Sequence, residues 1–264
     1  MKHRTYRVWI LFFAVLAPAA FAQSADEVVG KYLEARGGLD KIKAVDSARF
    51  TGRMSLGGQM EAPFVWTWKR PNKLRVEFTV QGQTGVQAFD GEKGWSLMPF
   101  MGITDPQPMA SDETDVFEEQ ADLDGQFIDS AKKGYVIEYI GEEEVEGTPA
   151  HKIKVTNKHG DVSHVYFDAE YFLEIKAEGK RTLRGQEIEF EATQGDYKEV
   201  DGLMFAHSIE SKPKGAPAGQ TITFEKIDLN VEVSDSDFAM PAVEKPAETE
   251  GIKETEKEPV EGSE

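Results

Sequence analysis

Outside its first 22 residues the chain carries four histidines, His151, His159, His164 and His207, and imidazole is the side chain best suited to proton transfer or metal ligation near neutral pH. No HExxH helix, GxSxG elbow, EF-hand loop or glycine-rich phosphate loop accompanies them. His159 and His164 end the stretch HGDVSH, a turn that would bring the two rings toward one another across a hairpin, with Asp161 the only adjacent third ligand. Turn and strand-face histidines are the simpler account. Asp and Glu together number 48, so no pair stands out as an acid and a base. With no cysteine, thiolate chemistry, a disulfide framework and a lipid-attachment Cys are all excluded. Nothing nominates a nucleophile, and the expectation is a protein that is not an enzyme and needs neither cofactor nor metal.

The unusual chemistry is apolar. Met60, Phe64, Trp66, Trp68, Phe78, Phe89, Trp95, Met98, Phe100, Met101 and Met109 crowd into fifty residues. Singly, each is ordinary core. Together they suit the wall of a cavity, because a curved sheet not filled by its own side chains holds apolar ligands and Met is an adaptable lining. Within this region GWSLMPFMGITDPQPM, Gly94 to Met109, holds Pro99, Pro106 and Pro108, which argue against a regular element. The segment is expected to be irregular and to fold over the mouth of a hollow, with Trp95, Met98, Phe100 and Met101 facing inward.

Elements to position such a wall are legible. Ser24 with Glu27 makes a capping box, Val28, Tyr32 and Leu33 share a helical face, and Gly37-Gly38 ends the helix. Leu39 to Val45 makes one or two further turns. From Ala48 the apolar period becomes two: Phe64, Trp66 and Trp68, then Leu74, Val76, Phe78 and Val80, with Pro71-Asn72 as the turn between them. The alternation returns after residue 134 and runs almost to the end, cleanest where Ile188, Phe190 and Ala192 alternate with Glu187, Glu189 and Glu191. Ile222 and Phe224 fall on even positions but Ile227, Leu229 and Val231 on odd ones, which predicts a bulge near Lys226. Between the strands, Ser111 starts an acidic helix with a narrow stripe of Val116, Phe117, Gln120 and Leu123. The count is about eleven strands with no βαβ alternation, hence a mainly β chain whose antiparallel sheet is strongly curved.

The ends differ from this domain. Lys2, Arg4 and Arg7, the apolar run VWILFFAVLAPAA and Ala20-Phe21-Ala22 together read as a signal peptide cleaved after Ala22, so the protein is expected in the periplasm. The formal charge of −18 becomes −21 when those three cations are removed, which argues against nucleic acid or an anionic membrane surface as a partner. Residues 241–264 contain eight Glu and hardly any large apolar side chain, an expected disordered acidic tail. Residues 23–240 are then one domain.

Trp68-Lys69-Arg70-Pro71-Asn72, then Phe89-Asp90-Gly91-Glu92-Lys93-Gly94-Trp95 before Met98-Pro99-Phe100, with Ser236-Asp237-Phe238-Ala239-Met240-Pro241 near the end, resemble the LolA/LolB-like superfamily of periplasmic lipoprotein carriers. The resemblance is carried by roughly residues 24–130 and is architectural beyond them. It implies an incomplete antiparallel β-barrel with an N-terminal helix and an inserted helical lid, holding acyl chains in its hollow. It also implies that Arg70 latches the lid and that Leu74 lines the cavity. The expected ligand-binding set is therefore Trp66, Trp68, Leu74, Phe78, Phe89, Trp95, Met98, Phe100 and Met101. The expected function is that of a monomeric carrier or chaperone for a lipid or an acylated lipoprotein, working with a membrane donor or acceptor protein. The alternative is an envelope sensor of the same fold that binds a protein partner.

Overall fold

The structure, a computed structural model, describes residues 23–56, 60–183 and 185–242. The expected signal peptide, and all of the expected tail except residues 241 and 242, lie outside them.

Helix α1, Ala25–Ala35, starts where Ser24 accepts the Glu27 N–H at 3.2 Å and buries Val28 and Tyr32. It stops at Arg36, and the next residue, Gly37, has φ +112 with the Gly202 carbonyl lying where a Cβ would be. α2, Leu39–Lys43, follows at once. Then come β1 Ser47–Leu56, β2 Met60–Lys69, β3 Lys73–Val80, β4 Gln83–Phe89, β5 Gly94–Met98 and β6 Ile103–Pro108. After α3, Ser111–Ala121, the remaining strands are β7 Val136–Val145, β8 Thr148–Thr156, β9 Val162–Asp168, β10 Glu174–Leu183, β11 Gln186–Val200, β12 Leu203–Pro213 and β13 Gln220–Leu229.

These strands form one sheet in the order β6-β5-β4-β3-β2-β1-β13-β12-β11-β10-β9-β8-β7, antiparallel throughout and not closed. Two meanders are joined where β1 pairs β13, and β6 and β7 are the free edges. The chain crosses from one edge to the other through α3. That helix touches β3, β4 and β5 on one side and β10 on the other. On a flat sheet β3 and β10 would be six spacings apart, about 29 Å, whereas an eleven-residue helix is only about 16 Å long. The sheet must therefore curl around α3.

The register defines its two faces. Leu229, Ala48, Trp68, Leu74 and Phe89 form one row on the inner face, and Phe224, Gly52, Phe64 and Phe78 another. Thr51 pairs Lys226 while Gly52 pairs Phe224, so Glu225 is the extra residue of a bulge, as the change of phase predicts. Phe50 packs 4.9 Å from Trp68, 5.2 Å from Phe224 and 5.5 Å from Phe205 between ring centroids, at tilted or perpendicular angles. A second core joins Val28, Tyr32 and Phe127 to Ile153, Val155, Val165 and Phe167.

Three expectations need correction. Among the described residues there are thirteen strands rather than about eleven, and Gly94 to Met109 is not an irregular lid. It is the β5–β6 hairpin, with a single helical turn at Pro99–Met101. Pro106 and Pro108 sit in an edge strand, where a missing N–H removes no ladder bond. The helix expected to start from a Ser111 cap has Ala110 at its cap position instead, with Ser111 as its first residue.

Candidate functional site

Five of the expected lining residues share the inner face and form the seat of α3. Leu74 and Phe89 are buried with Val76 and Ala121, and Trp66, Trp68, Phe78 and the α3 residue Phe117 pack against them. The Trp68 indole N–H donates to the Gln120 carbonyl at 2.8 Å. Phe100 leans on Phe78 with centroids 5.6 Å apart. Both Phe100 and Met98 use the space left by Gly85, where an added Cβ would come within 2.7 Å of the Phe100 ring and 3.2 Å of the Met98 sulfur. Two residues do not line this face. Met101 is 66% exposed at the hairpin tip. Trp95 belongs to the outer row of Thr67, Arg75 and Ala88. There it is buried under the chain's closing segment, donating its indole N–H to the Phe238 carbonyl at 2.8 Å. Arg75 bonds the Asp237 carbonyl at 2.9 Å beside it.

Arg70 is held by three hydrogen bonds. Its Nε donates to the Val45 carbonyl at 2.7 Å, and its Nη2 to the Ile42 carbonyl at 3.1 Å and to Asp124 Oδ1 at 2.6 Å. One guanidinium thus ties the end of α2 to the stretch that follows α3. Lys133 adds bonds to Asp122 and, at 2.8 Å, to the Gly125 carbonyl.

The opposite flank of α3 is fastened by its own carboxylates. Lys158 Nζ donates to Glu118 at 2.7 Å, Asn157 Nδ2 to Glu119 at 2.7 Å, and the Gly185 N–H to Asp112 at 2.9 Å. His159 Nδ1 lies 3.8 Å from Asp115, a contact that becomes an ion pair only on protonation. Burial raises the Glu119 carboxyl above its ordinary range, opposed by the Asn157 hydrogen bond. The grouping of His159, Asp161 and His164 does not form, because His164 stands on the outer face opposite Lys154 and Glu178. Asp115, Glu118 and His159 do bring one ligating atom each within 4.8 Å of one another, but Lys158 already occupies Glu118.

Between α3 and strands β8 to β11 lies a half-open hollow of about 530 Å³. Its floor is Val155, Val165, Ala177 and Phe190, and its polar groups include Glu119, Tyr135, Glu174 and Arg181. None of the nine expected ligand-binding residues borders it. The aromatic half is filled by its own rings, whereas here the inner face carries small residues: Ser163, Ala177, Gly179 and Ala192 are register partners on it. The strand alternation alone placed Phe190 and Ala192 inward. Arg181 and Glu174 went unnoticed because which face they occupy depends on the β9–β10 register. Burial pushes the Glu174 carboxyl up to about 7, although Gln194 and Arg36 favour its charged form. Burial likewise raises the Tyr135 hydroxyl.

No family model matches the sequence, and no curated protein matches it. Solved structures do. A DUF1329 family protein from Desulfovibrio piger superposes with a TM-score of 0.59 at 12% identity, over 81% of this chain and 97% of that one. A LolA superfamily protein from Nitrosomonas europaea gives 0.56 at 14% identity, over 83% and 98%. A domain assigned to outer membrane lipoprotein sorting from Vibrio parahaemolyticus gives 0.54 at 13% identity, over 80% and 97%. At such identities what is shared is the fold, and that fold is LolA-like.

Proposed function

We propose that this protein is an envelope carrier that shelters the apolar part of a lipid, or of an acylated lipoprotein, beneath α3. The observation that carries this function is the hollow of about 530 Å³ under a helix held at its flank by polar ties. Its size falls within the roughly 300–1,000 Å³ typical of small-ligand sites. Each methylene buried there contributes about 0.8 kcal/mol, so ten of them supply about 8 kcal/mol before the cost of association. That is enough for reversible holding and for transfer to a membrane donor or acceptor. In this scheme residues 1–22 direct export and are removed, and the Arg70 anchor keeps α3 seated until the ligand enters. The inner apolar residues Trp66, Trp68, Leu74, Phe78 and Phe89, with Met98 and Phe100 at the rim, support the helix and become ligand contacts as it lifts. Trp95 and Met101 take no part.

Native mass spectrometry of gently purified protein tests this. A co-purifying lipid, or stoichiometric uptake of a labelled acyl chain, is the expected result. A protein that stays empty and takes up none would end the carrier proposal. One feature favours a protein partner as a second reading: the edge strand β7 leaves Val136 and Ile140 more than half exposed. Loss of partner capture on changing these two residues, with lipid uptake intact, would identify that role.

A further inference from the structure

Arg181 borders the hollow without an ionic partner among the described residues. It projects from the inner face of β10, its partner in β11 being Ile188, and its guanidinium carbon stands 4.2 Å over the Phe190 ring. Arg53, Arg70 and Arg75 each meet a carboxylate at 2.6–2.9 Å. Arg181 makes no hydrogen bond or ion pair with any described residue, although Glu119, Asp161 and Glu174 border the same space. Glu119 and Asp161 act on it only from a distance.

We infer that Arg181 receives the head of an amphiphile carrying one negative charge, a long-chain carboxylate or a phosphodiester, whose tail lies along Val155, Val165 and Ala177 below α3. The inference rests on the carrier function proposed above and names its ligand class. A guanidinium offers five donors in a rigid fork that matches two oxygens of a carboxylate or phosphate. The cation–π contact with Phe190 braces the guanidinium beside the hollow that both residues border. Glu119 and Asp161 limit the charge, because their repulsion of a doubly charged head is about twice that of a singly charged one. A neutral head gains only what its tail buries. A cationic head is drawn to the carboxylates but must sit beside an unpaired guanidinium.

The test uses the full chain stripped of lipid, titrated calorimetrically with oleate, lysophosphatidylglycerol, oleyl alcohol and oleylamine. Arg181→Gln, Arg181→Lys and Phe190→Leu are compared with the parent. The parent should bind at least one of the two anions about tenfold or more tighter than the alcohol or the amine. Arg181→Gln should weaken that anion about ten- to hundredfold, the range of a charge-assisted hydrogen bond, and leave the alcohol within about twofold. Arg181→Lys should retain part of the affinity, and Phe190→Leu should lower it without abolishing it. Which anion loses more identifies the head as carboxylate or phosphodiester. The inference is overturned if Arg181→Gln binds both anions as the parent does, if anions and alcohol weaken together, or if the amine binds best. If the parent binds none of the four, the carrier function itself falls and this inference with it.

Discussion

Replacing Glu174 by Gln should make the protein more stable, but only in one range of pH. Glu174 stands on the inner face at the start of β10, near Arg36 and hydrogen-bonded to Gln194, and the Tyr197 hydroxyl donates to its backbone carbonyl at 2.6 Å. Burial raises its carboxyl from 4.5 to about 7. The folded protein therefore holds this proton more tightly than the unfolded chain does. Below pH 4.5 both states are protonated and Glu174 costs nothing. Between 4.5 and about 7 the unfolded chain ionises first, and stability falls as pH rises; above about 7 both states are ionised and the cost is constant. At about 1.4 kcal/mol per pH unit, the full cost is about 3 kcal/mol, reduced by whatever solvent enters the hollow. Glutamine keeps the shape and the capacity to bond Gln194 and cannot ionise. Urea unfolding followed by tryptophan fluorescence should give equal stabilities near pH 4.5, a gap of about 2 kcal/mol near pH 6 and about 3 kcal/mol at pH 8, always in favour of the variant. A gap that stays constant from pH 5 to 8, or a variant less stable at pH 8, would refute the assignment of a buried, reluctant carboxylate.

Other outcomes follow from the ties of α3 and from the closing segment. Arg70→Ala removes three hydrogen bonds and leaves Asp124 without its cation, so it should cost about 2–4 kcal/mol; amide exchange should rise across residues 121–135, and Arg70→Lys should restore little of it. Raising salt from about 0.05 to 0.5 M should speed exchange in α3 of the parent, because the Glu118–Lys158 pair is solvent-exposed and screened; equal exchange at both concentrations would mean that packing alone seats the helix. Phe238→Ala should destabilise by about 3–5 kcal/mol in thermal or urea unfolding, since the Phe238 side chain is fully buried. A loss below about 1 kcal/mol would mean that the closing segment is only draped there.

What the sequence discloses here is periodicity, and what it conceals is register. Ser24 and Glu27, the even-to-odd switch around Lys226 and the clean alternation of Ile188, Phe190 and Ala192 are local signals, and each has its counterpart in the cap, the bulge and the inner face. β6 was illegible because proline is read as a strand breaker, which holds only where a neighbour needs the missing N–H. Trp95 was placed inward because β5 is short and apolar on both sides, so alternation gives no sign; its side is set by the pairing Ala88–Trp95 and by the cover of Phe238, 143 residues away. The sequence points to a hollow among the largest side chains, whereas the hollow that forms lies over a strip of small ones. Volume is left where Ala177, Gly179 and Ala192 come into register, and no single strand reveals that.

The crossover between the sheet's two edges has unequal ends. β6 meets β5 only at Trp95–Pro108, Ser96–Gln107 and Met98–Ile103. β7 is laddered to β8 from Val136 to Val145, broken once by a bulge. Any swing of α3 away from the hollow is therefore absorbed first by the β6 end. In the proposed carrier, α3 would pivot about its β7 end once the Arg70–Asp124 tie yields, and the short β5–β6 hairpin would fray before the longer β7–β8 one.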